Sequence, residues 1–245
     1  MVPSTGARSV SSASRTPRQP LARLSSSLGL LTWGARDLPA RHQSLHATLE
    51  WSLEQLDDKA RRLFAQLSVF MAGCRLDGAE ALGSPLTEDE VLDALMDLVD
   101  HSLLRTLTLR GEHRFVMLET VRAYAASLLT DEQSQLLHER ALRYVVELAR
   151  SVEREAQGPR REEWLDRAED ELENIRALLR WSVDHDDATS AAQIAASLLT
   201  FWLQRGPLSE GARWLDLTMR EPQRLPPAVL AAALNTAEQI ARQQR

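Results

Sequence analysis

The stretch that most limits what this chain can fold into is residues 97–129, DLVDHSLLRTLTLRGEHRFVMLETVRAYAASLL, because its apolar period changes twice. Val91, Leu92, Leu95, Leu98 and Val99 repeat at helical spacing. A run of β-branched and aromatic residues follows, and helical spacing returns at Val121, Tyr124, Ala125 and Leu128. Helix, hairpin, helix is the order of a winged helix. The spacing predicts strands over 103–109 and 113–118, joined by a turn at Arg110-Gly111-Glu112 in which Gly111 takes a positive φ. The closing helix is predicted over 119–129, with Glu119 at its positive end.

The preceding residues supply the other helices. Leu45, Leu49 and Leu53 mark a short amphipathic helix. Asp57 is placed to cap a second, 58–67, with Leu63, Phe64 and Leu67 as its stripe. Asp77 is placed to cap a third, through Leu82, ended by Gly83-Ser-Pro85. Thr87 and Glu90 have capping-box spacing for a helix running to Asp100.

After Thr130 every segment reads as helix. Stripes run through Leu137, Ala141, Tyr144, Val145 and Leu148, and through Leu165, Ala168, Leu172, Ile175 and Leu179. One helix carries Ile194, Leu198, Phe201 and Trp202 up to Gly206-Pro207, one carries Trp214, Leu215 and Leu217, and a last one carries Leu230, Ala233, Leu234 and Ile240. Short helices in series, with small residues among large anchors, predict a stacked α-solenoid. The fold class expected is mainly α: a winged helix with a small β-hairpin, then a TPR-like solenoid of antiparallel helices. Three regions are expected: 1–34 as a disordered tail, 35–130 as the winged-helix domain, and 131–245 as a helical array that is longer in nature.

Composition removes several functions. The net charge is −6 over 245 residues, against a broadly basic surface for nucleic acid or anionic membrane. Lys59 is the only lysine and Cys74 the only cysteine, so neither an intrachain disulfide nor a cysteine-based zinc site forms. No apolar run reaches the roughly 20 residues needed to cross a bilayer, so a cytoplasmic chain without membrane partners is expected.

No catalytic, metal or cofactor site is predicted. His42, His46 and Glu50 share one helical face, yet this lone spacing reads better as packing or solvated histidine than as zinc ligands. Ser182, Asp184 and His185, or Ser102 with His101, do not face one another as a triad, and no Gly-x-Ser-x-Gly elbow is present. Cys74 reads as a small core residue. Trp164, Trp181, Trp202 and Trp214 read as packing in the array, and any exposed one as a partner-site candidate.

Several stretches resemble the bacterial STAND-type signal-transduction ATPases, including large LuxR-type transcriptional regulators. ARDLPARHQSLHATLEWSLEQL at 35–56, LFAQLSVFMAGCRLDGAEAL at 63–82, LVDHSLL at 98–104 and RFVMLETVRAYA at 114–125 look like that family's winged helix. ELENIRALLRWSVDHDD at 171–187 and LLTFWLQRGPLSEGARWLD at 198–216 look like the start of its tetratricopeptide-like region. Residues 21–34 look like the end of an ATPase lid. The resemblance implies a winged helix that couples an ATPase module, in cis or in trans, to an array that binds a protein partner or ligand. The ATPase module itself is missing from this chain: Lys59 lies in Asp57-Asp58-Lys59-Ala60, with none of the glycines of a P-loop. Eukaryotic relatives of these ATPases place a Met-His-Asp nucleotide sensor where this chain looks to have Met117, Leu118 and Glu119; Leu118 carries neither charge nor donor, so the phosphate contact from that position is lost, and no cofactor is expected.

The alternative reading is a DNA-binding winged-helix regulator contacting phosphates through Arg105, Arg110 and Arg114. The helix 88–100 argues against it, since it carries six acids and no base, and packing against protein is the favoured role.

Overall fold

The computed structural model describes the backbone of residues 40–244 and side chains from His46 onward. The expected tail and lid remnant (1–34), the first residues of the expected winged-helix domain, and the His42 side chain lie outside the described residues. Among those residues, twelve α-helices and one two-stranded antiparallel sheet are formed.

Helices α1 (Ala40–Glu54), α2 (Asp58–Leu67), α3 (Leu76–Gly83) and α4 (Glu88–Asp100) precede the hairpin β1 (Arg105–Leu109) and β2 (Glu112–Val116); α5 (Glu119–Ser127) closes the module. Local signals account for most of these boundaries. The Asp57 side chain accepts from the Ala60 amide at 2.7 Å, the expected N-cap. Thr87 and Glu90 close a full capping box, with bonds of 2.9 and 3.3 Å. The stripe residues Leu63, Phe64, Leu82, Leu95 and Leu98 are fully buried, each adding about 1.5–3 kcal/mol of transfer free energy.

Two local expectations are corrected. Helix α3 begins at Leu76 after Arg75, which makes no side-chain cap, so Asp77 lies inside the first turn; its carboxylate accepts from the Gly78 amide at 2.9 Å and is also reached by Arg167 and Tyr144 from a distant part of the chain. The strands are shorter than expected and the turn has two residues: Leu109 pairs with Glu112, and Arg110 and Gly111 both have positive φ, 51° and 85°. That is the backbone demanded by a tight hairpin turn of the type I′ class. A further strand-like contact, absent from the sequence reading, lies on the free edge of β2: Cys74 and Phe115 exchange amide bonds of 2.9 and 2.8 Å.

The array comprises α6 (Asp131–Arg154), α7 (Arg161–Asp170), α8 (Leu172–Asp184), α9 (Ala188–Ser197), α10 (Leu199–Gln204), α11 (Leu208–Thr218), a 3-10 turn at Pro222–Arg224, and α12 (Pro227–Gln243). Two stripes read as continuous helices are in fact interrupted. One breaks at Leu198, between α9 and α10; the other breaks at Glu171, between α7 and α8. The Ala-rich α9 is the hub, packing on α6, α8, α11 and α12, since small side chains let helix axes approach closely. Trp202 fills the space beside it, fully buried, its Nε1 donating to the Ala195 carbonyl at 3.0 Å. Residues Leu45–Arg245 form one compact unit.

Candidate functional site

The hairpin earns its interest from what covers it. Neighbouring residues of a strand point to opposite faces. In β2, Phe115 points into the helical core while Arg114 points away from it, yet both are buried. The second face is covered by the α7–α8 junction. Helix α7 ends at Asp170, Glu171 sits at the break with φ −92° and ψ 2°, and its carboxylate turns to the hairpin.

There Arg114 and Glu171 form a two-pronged ion pair, Nη1 to Oε1 at 2.6 Å and Nη2 to Oε2 at 3.1 Å. Arg114 is 3% exposed and Glu171 0%. Further hydrogen bonds hold both partners in place. Arg114 Nε donates to the Ala72 carbonyl and Nη2 to that of Gly73, both at 2.9 Å. Asn174 Nδ2 donates to Glu171 at 2.6 Å and to the Gly73 carbonyl at 2.8 Å, and Asn174 Oδ1 accepts from the Ala72 amide at 3.0 Å. Gly73 makes this approach possible: its φ is +72°, and a Cβ there would lie 2.1 Å from the Phe115 carbonyl oxygen. Burial opposes ionisation of Arg114, but the Glu171 carboxylate bonded to it outweighs that and holds its pKa above the ordinary arginine value. A buried pair hydrogen-bonded in this way fixes one geometry, although its net stabilisation is small.

An outer tier of charges surrounds this pair. Arg110, at the turn, is gripped by Glu169 at 2.7 Å and by Asp170, with Asp166 at 3.6 Å. Arg75 donates to the other Asp170 oxygen at 2.8 Å. Arg167 reaches back to Asp77 and donates to the Tyr144 hydroxyl at 2.9 Å. The C-terminal turn of α7 thus carries a row of carboxylates at the negative end of a helix, a placement that favours the arginines brought to it. The more exposed of these pairs contribute about 0–1 kcal/mol each, and the buried pair is what specifies the joint.

Of the three arginines considered for DNA phosphate, Arg114 is buried, Arg110 is held by α7, and Arg105 is exposed with no ion pair among the described residues. The sensor-like positions do not converge on a pocket. Met117 packs against the core, Leu118 is 47% exposed at the start of α5, and the Glu119 carboxylate accepts from Arg122 at 2.8 Å. Helix α4 buries Val91, Ala94, Leu95 and Leu98 and exposes Glu88, Asp89, Asp93, Asp97 and Asp100. Lys59 donates to Glu90 at 2.7 Å, and that bond draws the Glu90 carboxyl down to about 2.

The remaining candidates take structural places. Cys74 is buried in the core, and burial pushes its thiol far up. His46 packs edge-on to Tyr124 at 4.7 Å and lies 3.3 Å from Glu50. Ser182 donates to the Asp187 carbonyl. Among the described residues no group of three or more His, Cys, Asp or Glu is placed to hold a metal. Trp202 and Trp214 are buried, Trp164 lies under Arg160, and Trp181 is stacked between His138 and His185. The residue assignments made from sequence omitted Arg75, Asp170, Glu171 and Asn174. The acidic run 162–171 is the linear trace of Asp170 and Glu171; Arg75 and Asn174 leave none.

The chain contains a winged helix-turn-helix domain. Residues 56–130 match the family model of that description. Over 194 residues the chain is 36% identical to a Mycobacterium tuberculosis protein provisionally named an HTH-type transcriptional regulator. The match covers 78% of this chain and 22% of that protein. A Mycobacterium bovis protein of the same description matches equally, again over 22% of its length. An uncharacterised M. tuberculosis protein is 32% identical over 119 residues, 47% of this chain and 30% of its own. This chain therefore spans about a fifth of the regulators it matches. No solved structure matches it. Among the described residues no helix is long and apolar enough to cross a membrane. In the winged helix, α3 and α4 are the helix pair and the hairpin is the wing.

Proposed function

We propose that this chain works in transcription regulation as a non-enzymatic, cytoplasmic part of a larger regulator, with its winged helix acting as a connector clamped to a TPR-like protein-interaction array. The observation that carries this reading is the Arg114–Glu171 pair, with Arg110 held beside it. A wing that tracks a phosphate backbone needs its cations free, and two of three are already neutralised within the chain. Helix α4 occupies the base-reading position of the helix pair, and its exposed carboxylates repel phosphate rather than releasing counterions. A rigid winged helix and array would move as one body in response to a neighbouring module. That this module is an ATPase, in cis or in trans, rests on the sequence resemblance alone; the matched proteins carry no such name.

The second reading, DNA binding by the winged helix itself, is favoured by the domain match and by the relatives' provisional name. Those comparisons support it better than they support coupling to an ATPase. It would use Arg105 at once, and Arg110 and Arg114 only after the wing left α7.

Fluorescence anisotropy with random-sequence duplex DNA at about 50 mM salt separates the two, since phosphate contacts are strongest there. The connector reading expects no salt-sensitive binding and no effect of Arg105→Glu. Binding that weakens with salt and disappears in Arg105→Glu establishes the DNA reading instead.

A further inference from the structure

A groove of about 580 Å³ opens between α2, the α5–α6 junction and Ser84. Leucine lines it: Leu128 and Leu136 are 42% and 47% exposed there. Guanidinium groups stand around it from Arg61, Arg62 and Arg140. Two of these are fixed in place by carbonyls: Arg61 donates to Leu53 and Leu56 at 3.2 and 3.0 Å, and Arg140 to Leu82 and Ser84 at 3.3 and 3.0 Å. Arg62 uses only Nε, toward the Asp58 carbonyl, and directs no ion pair to any described carboxylate. Asp58 is the one acid in the lining and is paired with Arg61 at 3.4 Å, so the groove's positive border is carried by Arg62 and Arg140.

Such a surface fits an amphipathic helix whose exposed face alternates apolar side chains with carboxylates at i, i+3 and i+4. This chain presents one. On the outer face of α4, Leu92 and Met96 are 41% and 50% exposed, and Asp89, Asp93 and Asp97 flank them. The inner face of α4 is locked in the core by Val91, Ala94, Leu95 and Leu98, so α4 cannot leave to fill the groove of its own chain. We propose that the groove of one copy receives helix α4 of a second copy, apolar pair onto leucine and aspartates onto the arginines.

The two surfaces differ, so the contact is head-to-tail and extends to rings or open chains rather than closing as a two-fold dimer. A 13-residue helix, about 20 Å long, covers less than a standard interface of roughly 1,600 Å². Association in the micromolar range or weaker follows, and it weakens with salt. The proposal stands on charge and shape alone and survives the failure of either reading of the winged helix.

Sedimentation velocity on the full chain tests it. The weight-average mass is expected to rise above the 27.5 kDa of one chain as concentration increases, and to fall back when salt is raised to about 0.5 M. Arg62→Glu and Asp93→Arg, both at exposed positions, are each expected to weaken association at least about tenfold while leaving the circular dichroism unchanged. Mixing the two variants restores the native contact, α4 of Arg62→Glu in the groove of Asp93→Arg, and leaves the reversed charges complementary at the other contact, so association is expected to recover. A mass that stays at one chain up to about 1 mM overturns the proposal. So does a mixture no more associated than its components. Loss of DNA binding in Arg62→Glu from a chain that is monomeric throughout overturns it too, assigning the groove to phosphate.

Discussion

Replacing Arg114 with Met strands a carboxylate that has no access to water. Glu171 is 0% exposed and would keep only the Asn174 amide, at 2.6 Å. Removing one partner of a buried pair costs about 3–5 kcal/mol. The Ala72 carbonyl, which accepts from Arg114 at 2.9 Å, loses that partner, for about 1 kcal/mol more at the lower end of that penalty. The expected loss is thus about 4–6 kcal/mol, a large part of the 5–15 kcal/mol that holds a typical domain together. Glu171→Leu leaves a buried guanidinium and costs a similar amount. The double variant Arg114→Met/Glu171→Leu removes both charges and leaves only orphaned amide and carbonyl groups, so about 1–3 kcal/mol is expected. Urea unfolding followed by far-ultraviolet circular dichroism, with linear extrapolation, gives all four corners of the cycle. The coupling energy should exceed about 2 kcal/mol. Native-state proteolysis should cut Arg114→Met near the hairpin first, since the wing is then released from α7. The reasoning fails if Arg114→Met costs under about 1 kcal/mol, or if the singles add to the double within about 0.5 kcal/mol.

Two further outcomes follow from packing and burial. His138 stacks on Trp181 at 5.1 Å and its Nδ1 donates to the Ser134 carbonyl at 2.8 Å; burial lowers its pKa from 6.5. A depressed folded-state value means the unfolded chain takes up the proton first, so the stability is present above about pH 6.5 and is lost as pH falls from there through the lower folded-state value. Chemical denaturation at about pH 7.5 and 5.5 should show a larger loss in the wild type than in His138→Gln; equal losses refute this. At Gly211 a Cβ would stand 2.8 Å from Cγ of Trp202, a ring that cannot yield because it is fully buried and bonded to Ala195. Gly211→Ala is expected to destabilise by about 1–3 kcal/mol and to lower the thermal midpoint; an unchanged midpoint would show that the ring has room to move.

The element order of the winged helix was legible because its signals are local. Asp57, and the Thr87–Glu90 pair, satisfy amides within three residues of themselves, and the change of apolar period around residues 103–118 reports burial directly. The candidate site was not legible for the converse reason. Arg114 and Glu171 are 57 residues apart, and an arginine in a strand carries the same linear signal whether it faces water, phosphate or a buried carboxylate. The interruption at Glu171 was hidden likewise, because the stripe Leu165 to Leu179 stays in helical phase across the break and the single non-helical residue is stabilised from outside.

The sequence alone therefore determined a mainly helical chain, a hairpin between two helices, and an acidic α4, all consequences of periodicity, capping and charge that depend on near neighbours. Tertiary structure alone decided the state of the wing. Whether Arg110 and Arg114 remain free cations depends on where α7 ends in space, and it ends against β2, burying Arg114 with Glu171 and turning a surface suited by composition to phosphate into a joint between two parts of one body.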